Sequence, residues 1–301
     1  MKLARFTSPK GPALAFYTGE HWLDLTRALQ AYSMLTGKVP GDPITDMITL
    51  IEAGLLRADF LEDLRRFFER GEVSGEYYLD SGPKCEIPLR PRKIVCLGRN
   101  YAAHAAETGH EAPKEPVLFS KAPQACIANG APIRIRPSYG RVDHEGEVAL
   151  VIGRCAKDIS EAEARGVVAG YTLINDVTAR DMQQADFNQG LPWFRSKSID
   201  TFCPIGPAVT PTDVISWPLE LDLKVEVNGE TRQSSNTRRF IFSVPAMLAY
   251  ITKFMTLEPG DLVATGTPEG IAPLQPGDQV SVIAPELGAL TNPVEEERDP
   301  A

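Results

Sequence analysis

From Ile94 onward the chain is cut into short β-rich runs, "KIVCLG", "EVALVIG", "GYTLIND", "LDLKVEVNGE", "GDLVATGTPEG" and "GDQVSVIA", divided by turn signals. This pattern constrains the fold more than any other feature. The repeated Pro-Gly-Asp at 259–261 and 276–278 reads as a pair of turns, each introducing a strand. Few helices intervene, and the spacing predicts them at 101–108, 160–168, 177–186 and 244–254. No regular strand–helix alternation and no repeat period occurs. The expected fold is therefore α+β and β-rich, a compact mixed β-roll or barrel rather than a doubly wound sheet.

Residues 1–85 have a different character. "ALAFYTGEHWLDLTRAL" predicts two short strands around Gly19-Glu20 that lead into a helix. "MITLIEAGLLRADFLEDLRRFFERG" then carries apolar residues at helical spacing and is expected to stop at Gly71. No cluster of reactive residues occurs here, and His21 beside Trp22 reads as a surface residue. With 301 residues the chain can form one large domain or two smaller ones. The polar stretch "LDSGPKCEIPLRPRK" is expected to join a small α+β N-terminal accessory domain (1–85) to a catalytic domain (92–301).

The net charge of −9, from 31 basic and 40 acidic residues, disfavours nucleic acid as a partner. There is no charged-then-apolar leader and no apolar run long enough to cross a bilayer, so a cytoplasmic protein without a membrane partner is expected. The five cysteines are scattered, which fits a reducing compartment better than a disulfide scaffold.

"RVDHEGEVALVIGR" raises the question of chemistry. If Glu145 to Ile152 is extended, Glu145, Glu147, Ala149 and Val151 share one face, with the two glutamates about 7 Å apart. Like charges so placed repel unless something compensates. In "GYTLINDVTARDMQQ", Asp176 stands where a strand gives way to a helix, and Asp176, Arg180 and Gln183 fall on one helical face. A helix cap with its ion pair would look the same. Three carboxylates converging from two strands would suit Mg²⁺, or nearly as well Mn²⁺, and a divalent ion would remove the repulsion.

"GRNYAAHAAETG" places Asn100, His104 and Glu107 at helical spacing. A carboxylate beside an imidazole orients it, so His104 and Glu107 are candidates for a general base, although such pairs also occur as surface ion pairs. His110 and His144 read as incidental. Lys197 in "WFRSKSIDTF" lies among apolar and hydroxyl residues and needs a counter-charge. Thr265, Gly266 and Thr267 in "ATGTPEG" offer amides and hydroxyls to an anion, or form an ordinary turn.

These stretches together resemble the fumarylacetoacetate hydrolase family. The likeness runs from about Ile94 to Val294 through eight ordered motifs: "GRNYAAHAAE", "PVLFSK", "DHEGEVALVIGR", "GYTLINDVTARDMQ", "KSIDTFCPIGP", "VNGETRQ", "IFSVP" and "TLEPGDLVATGTPEG". The resemblance implies that Glu145, Glu147 and Asp176 bind Mg²⁺ or Mn²⁺. It implies that His104 and Glu107 sit on a lid-like segment, and that Lys197 joins them in catalysis. Arg180, Gln183, Thr265, Gly266 and Thr267 are expected to contact substrate, with Arg99, Asn100 and Tyr101. A small-molecule 2-oxo or diketo acid substrate and a homodimer are also implied. Phe240 departs from the family, in which a methionine often precedes "IF". The first reading of function is hydrolysis of acylpyruvate-like diketo acids. Decarboxylation or tautomerisation of oxaloacetate, isomerisation of a hydroxymuconate-type diacid, and binding without turnover are the alternatives.

Overall fold

A computed structural model describes residues 1–70 and 75–300. The chain opens with a meander of β1 (Lys2–Ser8), β2 (Gly11–Tyr17) and β3 (Trp22–Asp24), which runs into α1 (Leu25–Thr36). Asp24 caps this helix, its carboxylate accepting the Arg27 N–H at 3.0 Å. The amphipathic stretch that follows forms two helices, α2 (Met47–Glu52) and α3 (Ala58–Arg70), because the chain turns at Gly54 with φ 68°. The expected stop at Gly71 lies outside the described residues. β4 (Tyr78–Leu79) edges the meander.

The rest begins with β5 (Ile94–Gly98), α4 (Ala102–Glu107), β6 (Val117–Lys121), β7 (Cys126–Ile127) and β8 (Ile133–Ile135). β9 (Val142–Asp143), β10 (Gly146–Ile152), β11 (Val168–Asn175) and β12 (Thr178–Ala179) follow. Next come α5 (Arg180–Asn188), α6 (Phe194–Lys197), β13 (Cys203–Pro211), β14 (Asp222–Val227) and β15 (Glu230–Asn236). The last elements are α7 (Val244–Phe254), β16 (Leu262–Ala264), β17 (Gln279–Ala284) and β18 (Gly288–Glu296). The segment expected as a helix at 160–168 is a 3₁₀ turn, Glu161–Val167. Both Pro-Gly-Asp repeats make the same turn. The glycine takes a left-handed φ, and the aspartate carboxylate accepts an N–H three residues back, from Glu258 at 2.8 Å and Gln275 at 2.7 Å.

Two sheets result. The larger runs β4-β3-β2-β1-β13-β11-β10-β16-β5-β6, with β7 beside β13, and the smaller runs β15-β14-β17-β18-β8. The smaller sheet packs over β10, β11 and β13, giving the α+β, sheet-rich roll. β10 is buried on both faces: Val148, Leu150 and Ile152 enter the core between the sheets, while Ala149 and Val151 enter a second core toward α1–α3. That second core joins Leu14, Leu50 and Leu64 to Ile205, Val209 and Leu262, and β1 pairs with β13 at Leu3 and Val209. Sheet and core thus both continue across the stretch at 85–92. No helix among the described residues is long and apolar enough to cross a membrane.

Candidate active site

Register brings the carboxylates together. In the β10–β11 pair Gly146 faces Asn175 and Glu147 faces Ile174, and the Asp176 N–H donates to the Glu145 carbonyl at 2.8 Å. Alternation turns Glu145 and Glu147 to one face. Gly146 between them turns to the other, where a Cβ would come within 2.3 Å of Val225 Cγ2 and 3.1 Å of Val282 Cγ1. A glycine at this position is what allows the smaller sheet to close against the mouth of β10. Glu145, Glu147 and Asp176 are buried, with one oxygen of each lying within 4.8 Å of the others.

Cations surround two of the three. Lys197 Nζ donates to Glu145 Oε2 at 2.8 Å and to Asp176 Oδ2 at 2.6 Å, and Lys121 Nζ donates to Asp176 Oδ1 at 2.6 Å. Arg180 pairs with Glu145 through one terminal nitrogen, with Gln183 Oε1 at 2.6 Å through the other, and with Asp143 at 2.8 Å through Nε. Glu147 has only the Gly266 N–H at 2.7 Å and no ion pair among the described residues. The electrostatics follow. Burial opposes ionisation of Glu145, but Lys197 and Arg180 outweigh it and hold the carboxyl well below its ordinary range. Burial and the neighbouring Asp176 and Glu145 charges push Glu147 well above that range. At Lys197 burial works against the ammonium, yet Asp176 and Glu145 raise its pKa overall.

The expected helical face of Asp176, Arg180 and Gln183 is corrected in one respect. β12 intervenes and α5 begins at Arg180, so Asp176 reaches the site from the end of β11 and takes lysines as partners, not Arg180. α4 likewise begins at Ala102, after Asn100. The Asn100 amide is committed to backbone, donating to Thr265 O and accepting the Phe242 N–H, both at 2.9 Å. Tyr101 is buried with its ring 5.2 Å from that of Phe240, and its hydroxyl has no partner among the described residues. His104 is buried, with Nδ1 3.4 Å from Glu107 Oε2, and burial lowers its pKa despite the nearby Glu145 and Glu107 carboxylates. Glu107 is fixed in turn by the Gly270 N–H at 3.0 Å.

The Thr265-Gly266-Thr267 groups expected to be free for an anion are engaged with β10. Thr265 donates to Val148 O at 2.8 Å, Thr267 to Gly146 O at 2.9 Å, and Gly266 to Glu147. They position the acidic strand, and of the three only Thr267 lines the cavity.

That cavity, about 370 Å³, has Glu145, Glu147, Arg180 and Lys197 in its wall with His104, Glu107, Gln183 and Arg99. Its volume suits a small-molecule ligand. His110, read as incidental, also lines it, whereas His144 is buried against Gln233. Sequence reasoning missed Lys121, Asp143, Phe119 and Trp193. The first two left a signal: Lys121 ends the apolar run "PVLFSK", and Asp143 extends the alternation of Glu145 and Glu147. Phe119 gave none, and Trp193 lies in "DFNQGLPWF", a loop that the sequence places in the pocket wall only as a whole.

The donor set fits a hard divalent cation. It is all oxygen, it is buried, and after the lysines and Arg180 are counted Glu147 is the carboxylate left without counter-charge. Fold and site together define a β-roll protein with a three-carboxylate centre beside a cavity lined by Arg99, Arg180 and Lys197. The chain belongs to the fumarylacetoacetate hydrolase family: residues 93–295 match the family model described as fumarylacetoacetate (FAA) hydrolase, C-terminal. A mitochondrial oxaloacetate tautomerase of Xenopus laevis is 43% identical over 250 residues, 77% of this chain and 78% of that one. The fumarylacetoacetate hydrolase of Exiguobacterium antarcticum superposes with TM-score 0.79 at 31% identity, covering 99% of this chain and 100% of the other. A fumarylpyruvate hydrolase of Pseudomonas aeruginosa, in complex with Mn²⁺ and pyruvate, gives TM-score 0.67 at 34% identity over 72% of this chain and 94% of its own. These relatives are enzymes, and they differ in the reaction named.

Proposed function

We propose that the protein is a divalent-metal-dependent hydrolase of acylpyruvate-type 2,4-diketo acids, releasing pyruvate and a carboxylic acid. One observation carries the reading: a buried histidine with a lowered pKa, oriented by a carboxylate, shares a cavity with Glu145 and Glu147 of the three-carboxylate centre. Glu145, Glu147 and Asp176 would hold Mg²⁺ or Mn²⁺. When bound, that ion would supply Lewis-acid polarisation to a 2-oxo acid.

The chain's own residues do the rest. With Nδ1–H donating to Glu107, the His104 ring presents Nε2 as a lone pair and accepts a proton from water. The resulting hydroxide attacks the C4 carbonyl. The C3–C4 bond breaks, its electron pair stays on the pyruvate fragment, and the proton returns to C3. Lys197, which stays charged, and Arg180 are held by Glu145, Asp176 and Asp143 and would orient the oxo-acid head with their remaining N–H groups, beside the Gln183 amide that Arg180 fixes. The homodimer implied by the resemblance belongs to the same proposal, and light scattering at twice the monomer mass tests it.

A second reading is favoured by the identity to mitochondrial oxaloacetate tautomerases. A tautomerase moves a proton between oxygen and C3 of the same kind of acid and needs no attack by water. Pyruvate release from acetylpyruvate and fumarylpyruvate, followed beside decay of enol oxaloacetate with Mg²⁺ or Mn²⁺, separates the two. Pyruvate release is expected. Turnover of oxaloacetate alone discards the hydrolase reading.

A further inference from the structure

We propose that Arg99 receives a second carboxylate at the far end of the substrate, so that the site selects dicarboxylic over monocarboxylic 2-oxo acids. This rests on the function proposed above and narrows its substrate class.

The cavity is cationic at two places. Near the carboxylate centre, Lys197 and Arg180 are matched by Glu145, Asp176 and Asp143. Arg99 has no such partner among the described residues: burial alone lowers its pKa, with no carboxylate opposing the effect. A half-buried guanidinium that lines a cavity without a counter-ion calls for an anionic ligand.

Aromatic rings join the two places. Lys197 Nζ lies 5.0 Å from the Phe119 ring centre, Phe119 and Trp193 are 5.6 Å apart, and Arg99 Cζ lies 5.6 Å from Trp193. All four side chains line the cavity, and Leu97 and Ile271 add apolar surface. The matching ligand has an oxo-acid head at the carboxylate centre, a flat or apolar middle along Phe119 and Trp193, and an anionic tail at Arg99.

The backbone points the same way. Arg99 has φ 57°, a left-handed conformation that costs a residue with a Cβ, and such strain marks positions held for a site. At Gly98 an added Cβ would come within 3.1 Å of the Trp193 ring, so the wall depends on a glycine next to this arginine. Arg141, the third arginine of the cavity, is a poorer receptor. Its Nε is bound to Asp143 at 2.7 Å, and 46% of its side chain faces solvent.

Two six-carbon acids test the idea, 2-oxohexanoate and 2-oxoadipate, which differ in the terminal carboxylate and carry no C4 keto group to cleave. Titration calorimetry with the Mg²⁺-loaded protein is expected to show 2-oxoadipate bound about 10- to 100-fold more tightly. Arg99→Gln is expected to erase that preference and leave the affinity for 2-oxohexanoate within about threefold, whereas Arg99→Lys, which keeps the charge without the planar fork, retains part of it. Melting curves establish that both variants are folded, and the wild-type comparison stands without them. Equal wild-type affinities, or a preference that survives in Arg99→Gln and vanishes in Arg141→Gln, overturn the role of Arg99 alone. If neither acid binds, the 2-oxo acid reading of the site fails with it.

Discussion

At His104, burial disfavours the imidazolium and outweighs the carboxylates of Glu145 and Glu107, so the ring titrates below its usual 6.5. A base must be neutral to act. The kcat/KM for a diketo acid is therefore expected to hold to below pH 6.5 and fall only on the acid side; an acid limb centred higher contradicts the assignment. His104→Ala is expected to lower pyruvate release about 10²- to 10⁴-fold with little change in KM, read by a coupled pyruvate assay. Glu147 is the opposite case. Its folded-state pKa is raised above the unfolded value of 4.5, so stability present below that pH is lost as the pH rises toward the folded value, unless a cation is bound. Glu147→Gln removes that loss and, on the proposed function, a metal ligand with it. Scanning calorimetry at pH 8 is expected to show the EDTA-treated variant melting no lower than wild type, and gaining less from added Mg²⁺. An equal gain would place the ion elsewhere. At this scale the alternation of Asp143, Glu145 and Glu147 was legible in the sequence. The partnership of Lys121 with Asp176 was not, because it joins the ends of two strands 55 positions apart.

Among the elements, β10 shows what periodicity can and cannot deliver. Its uninterrupted apolar run predicts burial on both faces, and both faces are buried. What lies across each face is a matter of packing. Gly146 meets Val225 of β14 and Val282 of β17, so Gly146→Ala is expected to cost about 1–3 kcal/mol by overpacking. Because Glu145 and Glu147 flank it, the same change is expected to weaken Mg²⁺ binding, and calorimetry on the folded variant measures both. A variant as stable as wild type with unchanged Mg²⁺ affinity would mean that the smaller sheet does not set the site. The Pro-Gly-Asp turns were readable because glycine and aspartate each have a local reason to be there. The helix at 177–186 was misplaced by three residues, since Thr178 and Ala179 pair with Asp143 and Val142, and no local signal announces a partner so far back in the chain.

The whole molecule is tied together by the β1–β13 pairing and by a core that draws on both parts of the chain. Residues 92–301 alone would bare Ile205, Val209 and Leu262, and that fragment is expected to be insoluble or to melt without cooperativity. A soluble fragment with a sharp transition and intact Mg²⁺ binding would make residues 1–91 dispensable. Local patterning determined a good deal by itself: the β-rich class, the turns, the acidic strand and the ordered motifs, because each depends on neighbours a few residues apart. The tertiary structure decided the rest. It chose lysines for Asp176, left Glu147 with no cation among the described residues, turned Thr265 and Gly266 to brace the acidic strand, and set Arg99 beyond two aromatic rings. Those outcomes depend on which distant strands share a register and how closely two sheets can approach, and no window of sequence contains that information.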